Sequence, residues 1–343
     1  MDGSLTRRDS HSRVASNTFM NKITALDVNW VGRPKSIAAA LLESENHRAL
    51  IDPGPESTLT ALREQLRSCG LAVSDLNAIL LTHIHLDHAG ATGKLVRENP
   101  KVKVYVHTNG ARHMVDPSKL LASAGRLWGD QLAILFGETL PVPEENLQIL
   151  EGGETLTLSS RKLEVAYTPG HASHHVTYFD SDEGVAFIGD TGGIRIDDGP
   201  YILPATPPPD VDLALWDKSF ETILSRRPSK LFLTHFAWST DPAAHFAEFR
   251  DRLHRWLSTA ERSLKAAATS VTTKSTDSTP GASKEAEAKI EAAAMDAFIK
   301  ECRAEMDAKL GPAEAEHHNF TAGMDLSFRG LSRAVRKREA PAR

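Results

Sequence analysis

The sequence predicts a layered domain of class α/β (α+β), followed by a helical C-terminal extension. Short apolar runs rich in β-branched residues recur through the first two-thirds of the chain, and helical patterns lie between several of them. The composition, 41% apolar and 25% charged residues among 343, is that of a globular protein and excludes fibrous or wholly disordered chains. No apolar run reaches the roughly 18–20 residues that a membrane span needs, so we expect a soluble protein.

Residues 1–16 are polar and contain no apolar segment of the kind that a secretory signal carries. We expect them to form a flexible N-terminus, with a catalytic domain over residues 17–268. Only two cysteines are present, Cys69 and Cys302, which is too few for a disulfide framework or a cysteine zinc site. A cytoplasmic location is the resulting expectation.

The predicted strands are short apolar runs bounded by Gly, Pro, Asp or Asn, a pattern that favours strands over helices. In chain order they are Thr24–Trp30, Ile37–Leu42, Ala49–Ile51, Ala78–Thr82, Val102–His107, Lys162–Tyr167, Val176–Phe179, Val185–Ile188 and Leu231–Thr234.

The predicted helices of the catalytic domain lie between these runs. The first shows Leu59, Leu62 and Leu66 at helical spacing and is followed by Gly70, a typical C-terminal cap. The four segments are Glu56–Cys69, Gly90–Glu98, Pro117–Leu135 and Val211–Ser225.

After a long predicted helix over Ala243–Ala268, the composition changes. Residues 269–283 are rich in Ser and Thr and predict a flexible linker. Residues 284–343 form the extension, in which an amphipathic helix over Lys284–Leu310 either packs on its own catalytic domain or supports a homodimer. Its basic tail, Arg333–Arg343, is expected to be solvated.

Histidine is unusually frequent, and eight of the 15 histidines fall between His83 and His175. The segment AILLTHIHLDHAG places His83, His85, Asp87 and His88 directly after a predicted strand. Because side chains two residues apart on extended backbone point the same way, His83 and His85 face one side. Imidazole and carboxylate groups suit Zn, Mn or Fe, so four such groups within six positions indicate a metal site.

Three further potential ligands follow strands in the same manner. His171 lies in YTPGHASHH, Asp190 in AFIGDTGG and His235 in LFLTHF, each where an apolar strand meets a loop. Rigid strands hold such loops in place, so these side chains can complete a site spread over about 150 residues of sequence.

Four motifs resemble the ligand motifs of the metallo-β-lactamase-fold hydrolase superfamily, in particular its glyoxalase II and lactonase-like branch. They are, in chain order, THIHLDHAG, TPGHASHH, IGDTGG and LTHF. The segment ALIDPGP resembles an early strand and turn of the same superfamily. The resemblance implies a four-layer αββα sandwich. It also implies two divalent metal ions, zinc foremost with Mn or Fe as alternatives. One ion would be held by His83, His85 and His171, the other by Asp87, His88 and His235, with Asp190 bridging both.

Such a site is suited to hydrolysis. Two metals about 3.5–4 Å apart lower the pKa of a bridging water toward neutrality and polarise a carbonyl oxygen. A small ester, thioester or lactone is therefore the expected substrate. Asp87 is the catalytic candidate, since it can orient the nucleophile or shuttle a proton. Candidates for supporting the ligands or contacting substrate are His175, His174, His113 and Tyr201.

Several alternatives stay open, since one fold supports many reactions. Asp190 disfavours a true β-lactamase, and Gly193 stands where acyl-homoserine lactonases commonly carry a tyrosine. An oxidoreductase resembling the persulfide dioxygenases would use one iron, and a non-enzymatic metal-binding module is the third possibility. The net charge of −5 gives no case for nucleic-acid binding, and neither that nor a membrane partner is expected.

Overall fold

The computed structural model describes residues 21–272 and 280–339, which form two six-stranded mixed sheets with helices on their outer faces. The predicted flexible terminus, residues 1–16, lies outside this range. The strands of the described residues are β1 (Lys22–Asp27), β2 (Ala38–Ser44), β3 (His47–Ile51), β4 (Ala78–Leu80), β5 (Lys103–His107), β6 (Leu147–Leu150), β7 (Thr155–Leu158), β8 (Arg161–Tyr167), β9 (Val176–Asp180), β10 (Val185–Phe187), β11 (Lys230–Leu233) and β12 (Ala237–Ser239).

The first sheet has the order β1-β2-β3-β4-β5-β6, and the second has the order β12-β11-β10-β9-β8-β7. In the first sheet β1, β2 and β3 pair antiparallel, whereas β3 to β6 run parallel. In the second, only β10 and β11 are parallel.

The helices cover the outer faces of both sheets. None of those in the described part of the chain is both long and apolar enough to cross a membrane. They are α1 (Leu59–Ser68), α2 (Leu86–Ala89), α3 (Thr92–Glu98), α4 (Thr108–Val115), α5 (Ser118–Trp128), α6 (Leu132–Phe136), α7 (Leu213–Ser225), α8 (Pro242–Thr272), α9 (Pro280–Leu310), α10 (Pro312–Thr321) and α11 (Met324–Glu339).

Alternation along the strands produces the layers. In β2, Ala40 and Leu42 face the second sheet, whereas Ala39 and Leu41 face the helices outside the first. In β11, Phe232 belongs to the core between the sheets, and its neighbours on either side belong to the outer core beneath α7 and α8. Successive strand side chains point to opposite faces, so three cores separate four layers. The predicted αββα sandwich is confirmed.

All nine predicted strands are present, with boundaries shifted by a few residues, whereas β6, β7 and β12 were not predicted. Each predicted helix also forms, but Pro117–Leu135 divides into α5 and α6. The division falls at Gly129, where φ is 51° and a regular helix cannot continue.

Both ends of the predicted linker, residues 269–283, belong to helices. Helix α8 continues to Thr272 and α9 begins at Pro280, while residues 273–279 lie outside the described range. Helix α9 packs against α8, and its Phe298 ring meets Trp256 edge-to-face at 5.3 Å. Its predicted apolar face, which includes Cys302 and Met306, is buried within the chain. A homodimer through this helix would therefore need another face.

In the described part of the basic tail, from Arg333 to Glu339, the charged side chains are exposed in agreement with the expectation, but the backbone is helical. Helix α11 continues to Glu339, and its Ala334 and Val335 are buried in the same core as α8 and α9. Ala334 and Val335 therefore face the domain, whereas Arg333 and the residues from Arg336 to Glu339 are exposed. Arg336 forms an ion pair with Glu291 on α9. Residues 340–343 of the tail lie outside the described range.

Candidate metal centre

The seven candidate ligands converge where strands of both sheets end. From the first sheet, β4 leads into the loop with His83 and His85, and α2 follows with Asp87 and His88. From the second sheet, the segments after β8, β10 and β11 carry His171, Asp190 and His235.

Gly170, immediately before His171, shows why the sequence adopts this local path. Its φ is 137°, and a Cβ there would lie 2.4 Å from the Cα of Trp216 on α7. Only glycine lets the loop run this close to the helix, which places the following imidazole in the site.

One group of ligand atoms consists of three imidazole nitrogens. The Nδ1 atom of His85 lies 3.0 Å from Nε2 of His83 and 2.9 Å from Nε2 of His171. His83 and His171 are buried, and His85 opens onto a cavity. Three ring nitrogens facing one point are the donor set that Zn²⁺ and similar ions accept.

A second group contains two imidazoles and a carboxylate, Asp87, His88 and His235, whose ligand atoms lie within 4.8 Å of one another. Asp190 lies between the two groups. Its Oδ1 is 3.1 Å from Nε2 of His88 and 3.4 Å from Nε2 of His235. Its Oδ2 is 3.4 Å from Nε2 of His171 in the first group. One oxygen of Asp190 therefore faces each group.

The ring orientations are fixed from behind. Nδ1 of His88 lies 2.9 Å from Oδ2 of Asp52. Nδ1 of His235 lies 2.7 Å from the Ser36 carbonyl oxygen, and Nδ1 of His171 lies 2.9 Å from the Ala205 carbonyl oxygen. Because Nδ1 of each ring donates its hydrogen bond to one of these acceptors, it is Nε2 that points into the site.

Burial sets the charge of the first group. It lowers the pKa of His83 well below its usual value, lowers the pKa of His85 to about 4, and also lowers the pKa of His171. The three rings are therefore neutral near pH 7, the form in which imidazole binds a metal.

The second group has the opposite balance. Burial alone would lower the pKa of His88 and of His235, but the carboxylates around them, Asp190 foremost, outweigh it and raise both. Burial alone would raise the pKa of Asp190 and Asp87, yet the neighbouring histidines outweigh it and lower both. The carboxylates are thus ionised at neutral pH.

A bound cation fits these donors. Nε2 of His88 and Oδ1 of Asp190 are both buried without a hydrogen-bond partner, although buried polar atoms are normally satisfied. A metal between them would satisfy both atoms. In the first group, a metal would also accept the lone pairs of the neutral ring nitrogens, which otherwise face one another at close range.

Asp52 is a part of the site that sequence reasoning did not single out. It is fully buried after β3 and accepts hydrogen bonds from the Thr82 amide at 2.8 Å and from the hydroxyls of Thr82 and Thr234 at 2.7 and 2.8 Å, besides its contact with His88. It therefore joins both sheets beneath the ligands. The signal lay in ALIDPGP, which indicated only a strand and a turn.

Three of the supporting candidates lie around the ligands. His175 is buried behind them, with Nδ1 at 3.0 Å from the Thr168 hydroxyl and 3.2 Å from the Thr191 hydroxyl, so it steadies the turn that carries Asp190. His174 stacks over His83 at 6.0 Å between centroids and lines the cavity. His113 also lines the cavity, and its Nε2 accepts a hydrogen bond from Arg112.

Tyr201 lies elsewhere. It is fully buried in the core beneath α8, where the Arg252 guanidinium sits 3.8 Å from its ring centroid. It is absent from the described residues that line the cavity, so its position does not suit a substrate contact. Its apolar neighbours, Ile202 and Leu203, share this core, which explains why the segment turns inward.

The cavity in front of the ligands has a volume of about 660 Å³. His85, Asp87, Asp190 and His235 line its base, and one wall is formed by α4 and α5. The proline run at 207–209 lines it as well. The end of α10, the short turn after it and the start of α11, within residues 321–327, close another side, so the C-terminal extension contributes to the same cavity.

A sequence model of the metallo-β-lactamase superfamily matches residues 32–235, well over half of the chain. The chain belongs to the metallo-β-lactamase superfamily. The matched range contains all seven candidate ligands of this superfamily member, and the helices from α8 onward lie beyond it.

Curated superfamily proteins show moderate similarity. The chain is 28% identical over 163 residues to metallo-beta-lactamase fold-containing protein ST1585 of Sulfurisphaera tokodaii, covering 47% of this chain and 60% of that protein. It is 33% identical over 164 residues to probable metallo-hydrolase YqgX of Bacillus subtilis, covering 47% and 70%. With the hydroxyacylglutathione hydrolase of Aeromonas salmonicida it shares 28% over 151 residues, 44% of either protein.

Solved structures of the superfamily show the same fold. The archaeal protein ST1585 from Sulfolobus tokodaii superposes with a TM-score of 0.57 at 22% identity, covering 68% of this chain and 86% of that one. The family protein TTHA1429 from Thermus thermophilus gives 0.55 at 22% identity, covering 70% and 81%. These likenesses concern the fold alone.

Proposed function

We propose that the chain is a dinuclear metallo-hydrolase that cleaves a small ester, thioester or lactone. The observation that carries the proposal is the position of Asp190, which directs one carboxylate oxygen to each of two ligand groups. His83, His85 and His171 would hold one divalent ion, Asp87, His88 and His235 the other, and Asp190 would bridge them. Zinc is the first candidate, with Mn or Fe as alternatives.

When bound, the two ions supply an activated water and a Lewis acid for the substrate carbonyl. The protein provides the positioning. Asp87 keeps 19% of its side chain exposed toward the cavity, and the neighbouring histidines, which outweigh burial, lower its pKa to about 2. It is therefore an ionised hydrogen-bond acceptor that can orient water at neutral pH.

The size of the cavity supports a small substrate, since about 660 Å³ lies within the range of small-molecule sites. The name of the Aeromonas relative, a hydroxyacylglutathione hydrolase, supports a thioester as one class to test. At Gly193, where a lactonase would carry a tyrosine, a Cβ would lie 2.8 Å from the Leu203 carbonyl and 3.0 Å from the Phe249 ring. That crowding disfavours a lactonase of the familiar kind.

The persulfide dioxygenase alternative would need only one ligand group. The second group is complete and its rings are held by Asp52 and the Ser36 carbonyl, which supports two ions rather than one. The same completeness disfavours a module without activity.

Asp190→Asn tests the proposal. The amide keeps one carbonyl oxygen, so one of the two ligand groups loses its charged oxygen. We expect the variant to lose at least one metal per chain and most of its turnover on a panel of thioesters, esters and lactones. His254→Gln is the matched control, because this histidine pairs with Asp217 on the surface. Unchanged activity and full metal content in Asp190→Asn would contradict the bridging role.

A further inference from the structure

We infer that the catalytic cavity accepts an amphipathic substrate, whose anionic group binds Arg112 and Lys119 and whose apolar group lies along α5. The inference rests on the proposed function only in assuming that the bound molecule is hydrolysed. The two binding regions are features of the cavity wall and can be tested by binding alone.

The cationic region consists of Arg112 near the end of α4 and Lys119 at the start of α5, both lining the cavity. Within the described residues, neither side chain has a carboxylate within ion-pair distance. Arg112 donates through Nε to Nε2 of His113 at 3.2 Å, which orients its guanidinium and leaves the terminal nitrogens for a ligand. Burial is the main cause of the lowered pKa of His113, and the charges of Arg112 and Lys119 lower it further. Both cations therefore lie near the same ring.

The nearby acidic groups are hydrogen-bonded elsewhere, although Lys119 also attracts Asp116 electrostatically. The Asp116 carboxylate accepts a hydrogen bond from the Ser118 amide at 3.0 Å, and the Asp210 carboxylate accepts from the Ser173 amide and hydroxyl at 3.2 and 2.6 Å. Two like charges beside one ring repel each other. A carboxylate or phosphate between them would relieve the repulsion and accept charge-assisted hydrogen bonds.

The helix that carries Arg112 begins beside the candidate metal ligands. Helix α4 contacts the loop that follows His171, since the Asn109 amide donates to the Ser173 carbonyl at 2.7 Å. A Cβ at Gly110 would lie 3.4 Å from Cβ of His174. The anionic group of the substrate is therefore expected within a few bonds of the group that is cleaved.

The apolar region is one face of α5. Positions 120, 123, 124, 127 and 128 all line the cavity, which is the spacing of one helical stripe, and four of them are apolar: Leu120, Ala124, Leu127 and Trp128. At 1.5 Å per residue, the stripe from Lys119 to Trp128 is about 13 Å long.

An aromatic group closes the far end of this stripe. The Phe136 ring lies 5.5 Å from that of Trp128 and 5.7 Å from that of Trp30, and all three line the cavity. Leu326, from the first turn of α11, lines the same cavity. This wall fits a linear apolar chain better than a second charged group, because burying an unpaired charge there would be costly.

Calorimetric binding of octanoate and of neutral octanamide tests the inference on the intact protein. We expect octanoate to bind about tenfold more tightly, and the preference to disappear in the double variant Arg112→Gln/Lys119→Gln. Arg126→Gln is the matched control, since this exposed cation lies on α5 but does not line the cavity. No preference, or a preference that survives in the double variant, would overturn the cationic region.

A kinetic comparison separates this inference from the proposed function. Octanoyl thioesters of 3-mercaptopropionate and of its neutral amide differ only in the anionic group. The double variant should raise KM for the first substrate about tenfold more than KM for the second. Equal losses on both substrates would contradict the inference. Absence of any hydrolysis, with the octanoate preference intact, would reject the hydrolase proposal and keep the binding region.

A substitution in α5 tests the apolar region separately. Leu127→Ser introduces a hydroxyl on the cavity face of α5, at a half-buried position outside the packed core clusters of the described residues. We expect it to weaken octanoate binding several-fold and to leave acetate binding unchanged. Octanoate binding that is insensitive to this change would show that the chain lies elsewhere.

Discussion

Replacement of Asp52 by asparagine is expected to damage the metal site without touching a ligand. Oδ1 of Asp52 accepts from the Thr82 amide, and Oδ2 accepts from two hydroxyls and faces Nδ1 of His88. Asparagine offers one oxygen and one NH2 group in their place. The backbone amide cannot change its role, so the remaining oxygen should stay opposite it, and the NH2 group should take the position of Oδ2.

This orientation changes the tautomer of His88. Two threonine hydroxyls can rotate to accept from the new NH2 group, but His88 can accept at Nδ1 only by moving its proton to Nε2. Nε2 is the atom that lies 3.1 Å from Asp190 and would bind the metal. The change should lower metal affinity about 10–100-fold, the usual effect of losing such a supporting contact. It should also lower the free energy of unfolding by about 1.5–3 kcal/mol through the lost charged hydrogen bonds.

Competition with a chromophoric chelator measures the affinity, and denaturant unfolding of the chelator-treated protein measures the stability. Thr234→Val is the matched control, because it removes one donor to the same oxygen at 2.8 Å and leaves the His88 tautomer unchanged. It should lose stability but keep its metals. Wild-type metal affinity in Asp52→Asn would refute the reasoning.

Two further predictions concern stability. Burial lowers the pKa of His245 to about 4, so between pH 6.5 and 4 the unfolded chain binds a proton that the folded chain does not bind. The contribution of His245 to stability, which is present above pH 6.5, should therefore fall by about 2 kcal/mol from pH 7 to pH 5. In chelator, the loss of stability over this range should be smaller by about that amount in His245→Asn than in the wild type. An equal pH dependence in that variant would contradict this assignment. Phe298→Ala on α9 should lower the free energy of unfolding by about 3–5 kcal/mol in a single transition, whereas exposed Lys300→Ala should change it little. A catalytic-domain transition unaffected by Phe298→Ala would show that α9 folds separately.

The central strands and the ligands could be predicted because they share one pattern. A strand buried on both faces is a continuous apolar run, and a polar side chain at its end stands out, as at His83, Asp190 and His235. Edge strands are harder to recognise: β7, with the sequence TLTL, alternates threonine with leucine and gains its identity from pairing with β8.

Contacts made at long range could not be predicted from the sequence. Asp52 resembles an ordinary turn aspartate until Thr234, 182 residues later, is seen to donate to it. Tyr201 followed the ligand Asp190 closely enough in sequence to suggest a substrate contact, but its chain segment turns into the core. Helix α11 is basic overall, and only packing against α8 and α9 shows which of its side chains are buried.

Metal content of the purified protein tests the central claim most directly. The two ligand groups, linked by the two oxygens of Asp190, predict close to two divalent ions per chain, and loss of at least one in Asp190→Asn. A single iron per chain, together with oxygen consumption on a persulfide substrate, would contradict the dinuclear hydrolase.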